Sequence, residues 1–266
     1  MSRKRAIILA GALALAATIV AASALVVRAP SQLAGTATPS ARLARKGPPV
    51  LKSPVQQVAA QWKSGQPNFF HTEGNKIVDS QGKEVRLTGI NWFGMETGTY
   101  APHGLWERNW QDMLDQMVEL GYNTLRLPYS NQMFDPRSLP EGVDFEQNPD
   151  LRGLRPIEIM DKIIEAAGKR GMRVILDRHR PDIEKQRELW YTEAYPEERW
   201  IADWVMLAAR YKGNDTVIGA DLHNEPHGPA TWGYGDPAVD WRLAAERAGN
   251  AVLEENPYWL IFVEGI

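Results

Sequence analysis

The segment Ile157-Glu158-Ile159-Met160-Asp161-Lys162-Ile163-Ile164-Glu165-Ala166-Ala167-Gly168-Lys169-Arg170-Gly171-Met172-Arg173-Val174-Ile175-Leu176-Asp177 decides the fold. Ile157, Met160, Ile163, Ile164 and Ala167 recur at helical spacing along one face, and Gly171 supplies the turn that stops the helix. Met172 to Asp177 follows as an apolar run of strand length that ends on a carboxylate. The stretch predicts one helix and the buried strand it feeds.

The unit repeats on both sides. Upstream, Trp110, Met113, Leu114, Met117 and Val118 form a stripe closed by Gly121, ahead of the strand Asn123 to Pro128. Downstream, Trp200, Ile201, Trp204, Leu207 and Tyr211 run to Gly213, ahead of Thr216 to Asp221. A fourth helix is expected from Asp236 as N-cap and Pro237 at the first position, through Trp241, Ala245, Ala248 and Val252, to Asn256-Pro257. Leu260 to Val263 reads as its strand. Before the first unit, Leu87 to Trp92 is a buried strand, entered from a β-hairpin of Lys76–Asp79 and Glu84–Leu87 around the turn Ser80–Lys83.

Regular alternation of this kind means an α/β fold with a parallel sheet covered by helices. An open doubly wound sheet and a closed barrel both satisfy it, but the glycine-rich phosphate turn of many open sheets is missing after the first strand. The expectation is a (β/α)8 TIM barrel preceded by a β-hairpin. Eight strands need about 250 residues, and about five fit before Ile266, so the barrel reads as C-terminally truncated.

Working outward, residues 67–266 carry this domain, and residues 28–66, rich in Ala, Pro, Ser and basic residues without apolar periodicity, read as a disordered linker. Residues 1–27 open with Arg3-Lys4-Arg5 and continue as an uncharged run from Ala6 to Val27, with Ala22-Ser23-Ala24 as a small-residue cleavage site. That is an export signal, either cleaved or kept as an N-terminal membrane anchor, and it places the rest of the chain outside the cytoplasm. The 266 residues are 44% hydrophobic with a formal net charge of −3 and no cysteine. The charge gives no reason to expect a nucleic-acid partner, and the absence of cysteine excludes disulfides, thiolate catalysis and cysteine-held zinc.

Polar groups gather at the carboxyl ends of the strands: Asn91 beside Trp92, Arg126, Asp177 with His179, Asn224 with Glu225, and Glu264. In a barrel those ends share the face that carries catalysis. In Asp221-Leu222-His223-Asn224-Glu225-Pro226, apolar residues lead up to Glu225 and Pro226 stops the strand ladder. The carboxyl group is therefore expected in the barrel mouth, partly desolvated and suited to hold a proton as a general acid. Asn224 suits a sugar hydroxyl, and Arg126 and His179 suit the orientation of carboxylates. Asp177, His179, His223 and Glu225 also admit a metal reading, but strand parity serves hydrogen bonding equally well, so no metal or other cofactor is assigned. Trp110, Trp200, Trp204 and Trp241 sit on helical stripes and read as core. Trp92, Trp190 and Trp232, in or beside the strand-to-helix loops, are candidates for stacking on a pyranose ring.

The segments Gly89-Ile90-Asn91-Trp92-Phe93-Gly94, Leu125-Arg126-Leu127-Pro128-Tyr129-Ser130, Leu176-Asp177-Arg178-His179-Arg180-Pro181-Asp182 and Asp221-Leu222-His223-Asn224-Glu225-Pro226-His227 together resemble glycoside hydrolase family 5, in its bacterial cellulase branch. The likeness runs from about Phe70 to Ile266. It implies a β-1,4-glucan substrate, no cofactor, Glu225 as acid/base, Asn224 at the substrate 2-hydroxyl, and Arg126 and His179 as pocket organisers. Retaining hydrolysis needs a second carboxylate about 5 Å away as nucleophile. In the family it ends the seventh strand, and no residue of this chain matches it; Glu264 ends the fifth and reads as structural. The expectation is a secreted β-1,4-glucanase that lacks its nucleophile as the chain stands, with a non-catalytic carbohydrate-binding protein as the alternative. Oligomeric state has no signal in the sequence.

Overall fold

The computed structural model describes residues 67–266. The expected export segment and linker lie outside the described residues. Among the described residues no helix is long and apolar enough to cross a membrane.

A short antiparallel pair, β1 (His71–Glu73) and β2 (Lys76–Val78), turns through Gly74 at φ +61°. The expected hairpin follows it in shortened form: Gly82 at φ +76° carries the turn, Val78 and Glu84 form an antiparallel bridge, and the Val85 amide donates to the Ile77 carbonyl at 2.8 Å. Five parallel strands follow: β3 (Gly89–Asn91), β4 (Thr124–Ser130), β5 (Arg173–Arg180), β6 (Val217–Asp221) and β7 (Leu260–Phe262). Helices α1 (Trp110–Glu119), α2 (Pro156–Lys169), α3 (Glu197–Arg210) and α4 (Trp241–Glu255) make the crossovers. Strand order in the sheet equals strand order in the chain. A doubly wound sheet reverses its order at a switch point, so this winding belongs to a barrel.

The helix boundaries follow from capping. Asn109 accepts the amides of Gln111 and Asp112 to start α1, and Gly121 at φ +93° ends it. Proline opens α2, where the Glu158 carboxylate reaches back to the Arg155 amide at 2.7 Å. Helix α4 begins at Trp241, later than the expected start after Asp236. The buried Asp240 carboxylate accepts the Leu243 amide and also those of Gly233 and Gly235, so one side chain satisfies both the helix end and the loop before it.

The main core lies between sheet and helices, with Leu125, Leu127, Val174 and Leu176 of the strands facing Ile163, Trp200, Trp204 and Trp241 of the helices. Each such side chain contributes roughly 2 kcal/mol by leaving water. A second cluster, Phe70, Val85 and Ile218 packed with Ile77, Leu87, Ile175 and Leu260, seats the N-terminal hairpin region on the sheet. Ile175 pairs with Arg126 and Gly219, and Gly219 with Leu260, so these residues share the inner face with Asp177 and Asp221. The hairpin region plugs the amino end of that face and leaves the carboxyl end open for polar groups.

Candidate active site

Register alone aligns the polar groups. Asn91 pairs with Arg126, Pro128 with Asp177, Asp177 with Asp221, and Asp221 with Phe262, so Asn91, Arg126, Asp177 and Asp221 project to the same side of the sheet. Arg126 is the hub. It holds Asp177 Oδ2 at 2.8 Å, Asp221 Oδ2 at 2.8 Å, Glu264 Oε1 at 2.9 Å and Asn224 Oδ1 at 3.0 Å. Asp177 Oδ2 also accepts from His179 Nδ1 at 2.7 Å, which puts a ring proton on Nδ1.

Three carboxylates crowd one guanidinium. Burial works against the charge of Arg126, but Asp177, Asp221 and Glu264 outweigh it and hold the group above its ordinary range. Burial together with the charge of Asp177 pushes Asp221 up to about 7 against the pull of Arg126. Among the described residues Asp177 Oδ1 and Asp221 Oδ1 are buried without a hydrogen-bond partner, a costly burial for a polar oxygen.

Strand β6 ends at Asp221, and the chain then turns out of the sheet. Glu225 takes φ +50°, a left-handed conformation costing about 1 kcal/mol for a residue with a Cβ. Its amide donates to Glu264 Oε2 at 2.8 Å, and its carbonyl meets His227 Nδ1 at 2.6 Å. The side chain is exposed. The expected desolvation of Glu225 is thus corrected: the chain around it buries Asn224, not the carboxyl group. Asn224 is fixed on three sides, by Arg126, by its amide on the Arg178 carbonyl at 3.2 Å and by Gln186 Nε2 on its carbonyl at 2.8 Å.

Behind this face lies a dry polar pocket that sequence reasoning missed. Arg178 is fully buried and spends its donors on Asn131 Oδ1 (2.7 Å), His223 Nδ1 (2.9 Å) and the Trp190 carbonyl (2.7 Å). Burial lowers its pKa to about 9 and drives that of His223 well below its ordinary value. His223 packs edge-on against Trp241. Among the described residues no three His, Asp or Glu side chains gather as a metal site, so the quartet that parity suggests does not form one: regular strand alternation stops at Asp221 and His223 turns to Arg178.

The tryptophan assignments are corrected in part. Trp92 is buried with Nε1 on the His103 carbonyl at 3.0 Å, and Trp190 is fully buried beside Trp200 and Trp241, so neither offers a face to a ligand. Trp232 is exposed, but it lies in a groove with Arg242 and Leu253 of α4 and with Ile261 and Val263. The aromatic surface at the end of β3 is instead Phe93 and Trp106, both about half exposed and bridged by His103 with ring centroids at 4.5 and 5.1 Å. Alternation swings Trp92 into the core and Phe93 outward. Asp221 was also missed as a site residue, although its in-register pairing with Asp177 makes it a neighbour of Arg126.

The family model described as cellulase (glycosyl hydrolase family 5) matches residues 78–266. The chain is 62% identical over 214 residues to an endoglucanase of Paenibacillus polymyxa, covering 80% of this chain and 53% of that protein. It is 50% identical over 202 residues to the major extracellular endoglucanase of Xanthomonas campestris pv. campestris, covering 75% and 42%. The chain spans about half the length of these curated relatives. Among solved structures it is similar to an endocellulase from Pyrococcus horikoshii in complex with cellotetraose, at 44% identity and a TM-score of 0.71 over 76% of this chain and 58% of that one. The catalytic domain of the Xanthomonas endoglucanase gives 49% identity and a TM-score of 0.72 over 74% and 57%.

Proposed function

The chain belongs to the cellulase family, glycosyl hydrolase family 5, and from that premise we propose that it acts in hydrolysis of internal β-1,4 bonds of glucan chains, with Glu225 as acid/base of a retaining mechanism. The observation that carries the reading is the arrangement around Glu225: a carboxyl group open to solvent, at the end of a barrel strand, with its backbone and its neighbour Asn224 both tied to the Arg126 cluster. In this reading Glu225 protonates the leaving glycosidic oxygen and then takes a proton from water. Asn224 presents its amide to the sugar 2-hydroxyl while its oxygen is held by Arg126. Arg126 and His179 fix the electrostatics of the cleft. The exposed faces of Phe93 and Trp106 supply a platform for pyranose rings, and Trp232 a more distant one.

A retaining mechanism needs a second carboxylate as nucleophile. Asp177, Asp221 and Glu264 are all engaged by Arg126, so among the described residues none is assigned that role. The relatives named endoglucanase and the cellotetraose complex of the Pyrococcus protein support the substrate class. The basic and then apolar N-terminus supports export, as does the extracellular relative; N-terminal sequencing of secreted protein separates cleavage from anchoring.

The test compares Glu225→Gln with wild type, both as full-length protein, by kcat/KM, which reports bond cleavage. A β-1,4-gluco-oligosaccharide, whose leaving group must be protonated, is expected to lose about 1,000-fold, while an activated aryl β-cellobioside changes little. Equal loss on both rejects Glu225 as proton donor. Binding of the oligosaccharide without cleavage by wild type favours the carbohydrate-binding alternative.

A further inference from the structure

Glu264 is the fifth-strand carboxylate without a role in bond cleavage, yet its contacts are specific. Its Oε1 accepts from Arg126 at 2.9 Å, its Oε2 accepts from the Glu225 amide at 2.8 Å, and its carbonyl accepts the Trp241 indole N–H at 2.8 Å. The same Arg126 nitrogen that meets Glu264 also meets Asn224 Oδ1 at 3.0 Å. A closed circuit results: Arg126 to Asn224, along the chain to the Glu225 amide, to Glu264, and back to Arg126. The circuit encloses the one position of the strand-end segment that takes a left-handed backbone without being glycine. Such a conformation persists where surrounding contacts over-determine it. Here the contact is a charge-assisted hydrogen bond from the strained residue's own amide. Trp241, fully buried in the aromatic core, anchors the far end of the circuit.

We propose that Glu264 is a positioning residue for Glu225: its two oxygens tie the Glu225 amide to Arg126 and hold the backbone turn that aims the Glu225 carboxyl group at the leaving oxygen. The proposal rests on the acid/base reading of Glu225. It makes a distinction that a merely structural role does not. A residue that aims the proton donor matters only when the leaving group needs a proton, whereas one that supports Arg126 or the fold matters for every substrate.

The substitution Glu264→Gln tests it in the full-length protein, because an amide can present its oxygen to only one of the two donors and turns an N–H toward the other. With cellopentaose, kcat/KM is expected to fall about 100-fold, the cost of a misplaced catalytic group. With 2,4-dinitrophenyl β-cellobioside it is expected to stay near wild type, and KM for cellopentaose to change little. In 15N-labelled protein the Glu225 amide proton moves upfield once its charged acceptor is gone. Glu264→Asp keeps the charge but is one methylene too short to span both donors, and it is expected to fall between wild type and the Gln variant on cellopentaose. Equal losses on the two substrates, unchanged kinetics, or an unmoved Glu225 amide each overturn the proposal. If wild type cleaves neither substrate, the hydrolase reading fails on its own, and the amide signal still decides whether Glu264 holds Glu225.

Discussion

Arg178 donates to His223 Nδ1 at 2.9 Å in a pocket closed to water, directly behind the carbonyl on which the Asn224 amide rests. Because arginine has only donors, the contact dictates the histidine tautomer: Nδ1 accepts, so the proton of the neutral ring is on Nε2. Asn131 extends the pocket by accepting from Arg178 and donating to Asp203 at 2.8 Å, and thus links a buried cation to an anion that also pairs with Arg199.

Removing that cation should be costly. Arg178→Met leaves the Trp190 carbonyl, Asn131 Oδ1 and His223 Nδ1 without donors in a dry site, and a loss of about 3 kcal/mol or more is expected in urea unfolding. Arg178→Lys recovers little of it, since one ammonium on a flexible stem cannot reproduce the planar three-way fork. Stability of the Met variant equal to wild type would contradict the account.

The His223 tautomer is directly observable. Long-range 15N–1H NMR spectra should place the proton on Nε2 and find the ring neutral well into the acid range, since burial and the Arg178 charge hold its pKa far below 6.5. The folded state then cannot bind a proton that the unfolded state takes up. His223 therefore withdraws stability as pH falls below its unfolded value of about 6.5. A ring that titrates at its ordinary pH would refute the buried contact.

Asp221 acts with the opposite sign. Its folded pKa, pushed up to about 7, lies above the unfolded value near 3.9, so the native state binds the extra proton between those limits. Its contribution is full below about pH 4 and declines as pH rises toward 7. Asp221→Asn should remove this slope: the variant gains on wild type from pH 4 to 7 and the difference levels off above. Parallel thermal melts across the range check it, and a constant difference between the two proteins rules the assignment out.

Binding should separate the exposed aromatics from the buried ones. Trp106→Ala is expected to weaken cellotetraose binding about tenfold by calorimetry, or about 1.4 kcal/mol, with little change in stability. Trp190→Ala should instead destabilise the fold by about 4 kcal/mol. Unaltered affinity in the Trp106 variant would remove that residue from the sugar platform.

Gly94 carries the turn that presents Phe93. It sits at φ +135°, and a Cβ there would lie 2.3 Å from the Ala101 carbonyl oxygen and 2.6 Å from the His103 amide. Both are backbone atoms that cannot step aside. Gly94→Ala should therefore cost about 3 kcal/mol and disturb the Phe93–His103–Trp106 stack, seen as lost stability together with weaker oligosaccharide binding. A variant as stable as wild type would show that this turn is more plastic than its contacts imply.

By itself the sequence determined what local periodicity can encode. The stripe from Ile157 to Ala167 and the run from Met172 to Asp177 are both in place, and so are Gly121, Gly171 and Gly213 as helix stops. Parallel strands follow from the alternation, and Arg126, Asn224 and His179 belong to one connected network because Arg126 points from within its strand to the face where His179 and Asn224 lie at or beyond the ends of theirs. Tertiary structure decided whatever depends on register between distant strands or on chain path beyond a strand's last pair. Parity could be followed only to Asp221; past it the chain turns, sending His223 to Arg178 and exposing Glu225. Trp92 and Trp190 looked available because they are near loops, yet burying an indole gains more free energy than exposing it, and the core had room for both. The partnership of Glu264 with the Glu225 amide spans 39 residues and two strands. No local pattern specifies it, because it exists only once β6 and β7 lie side by side.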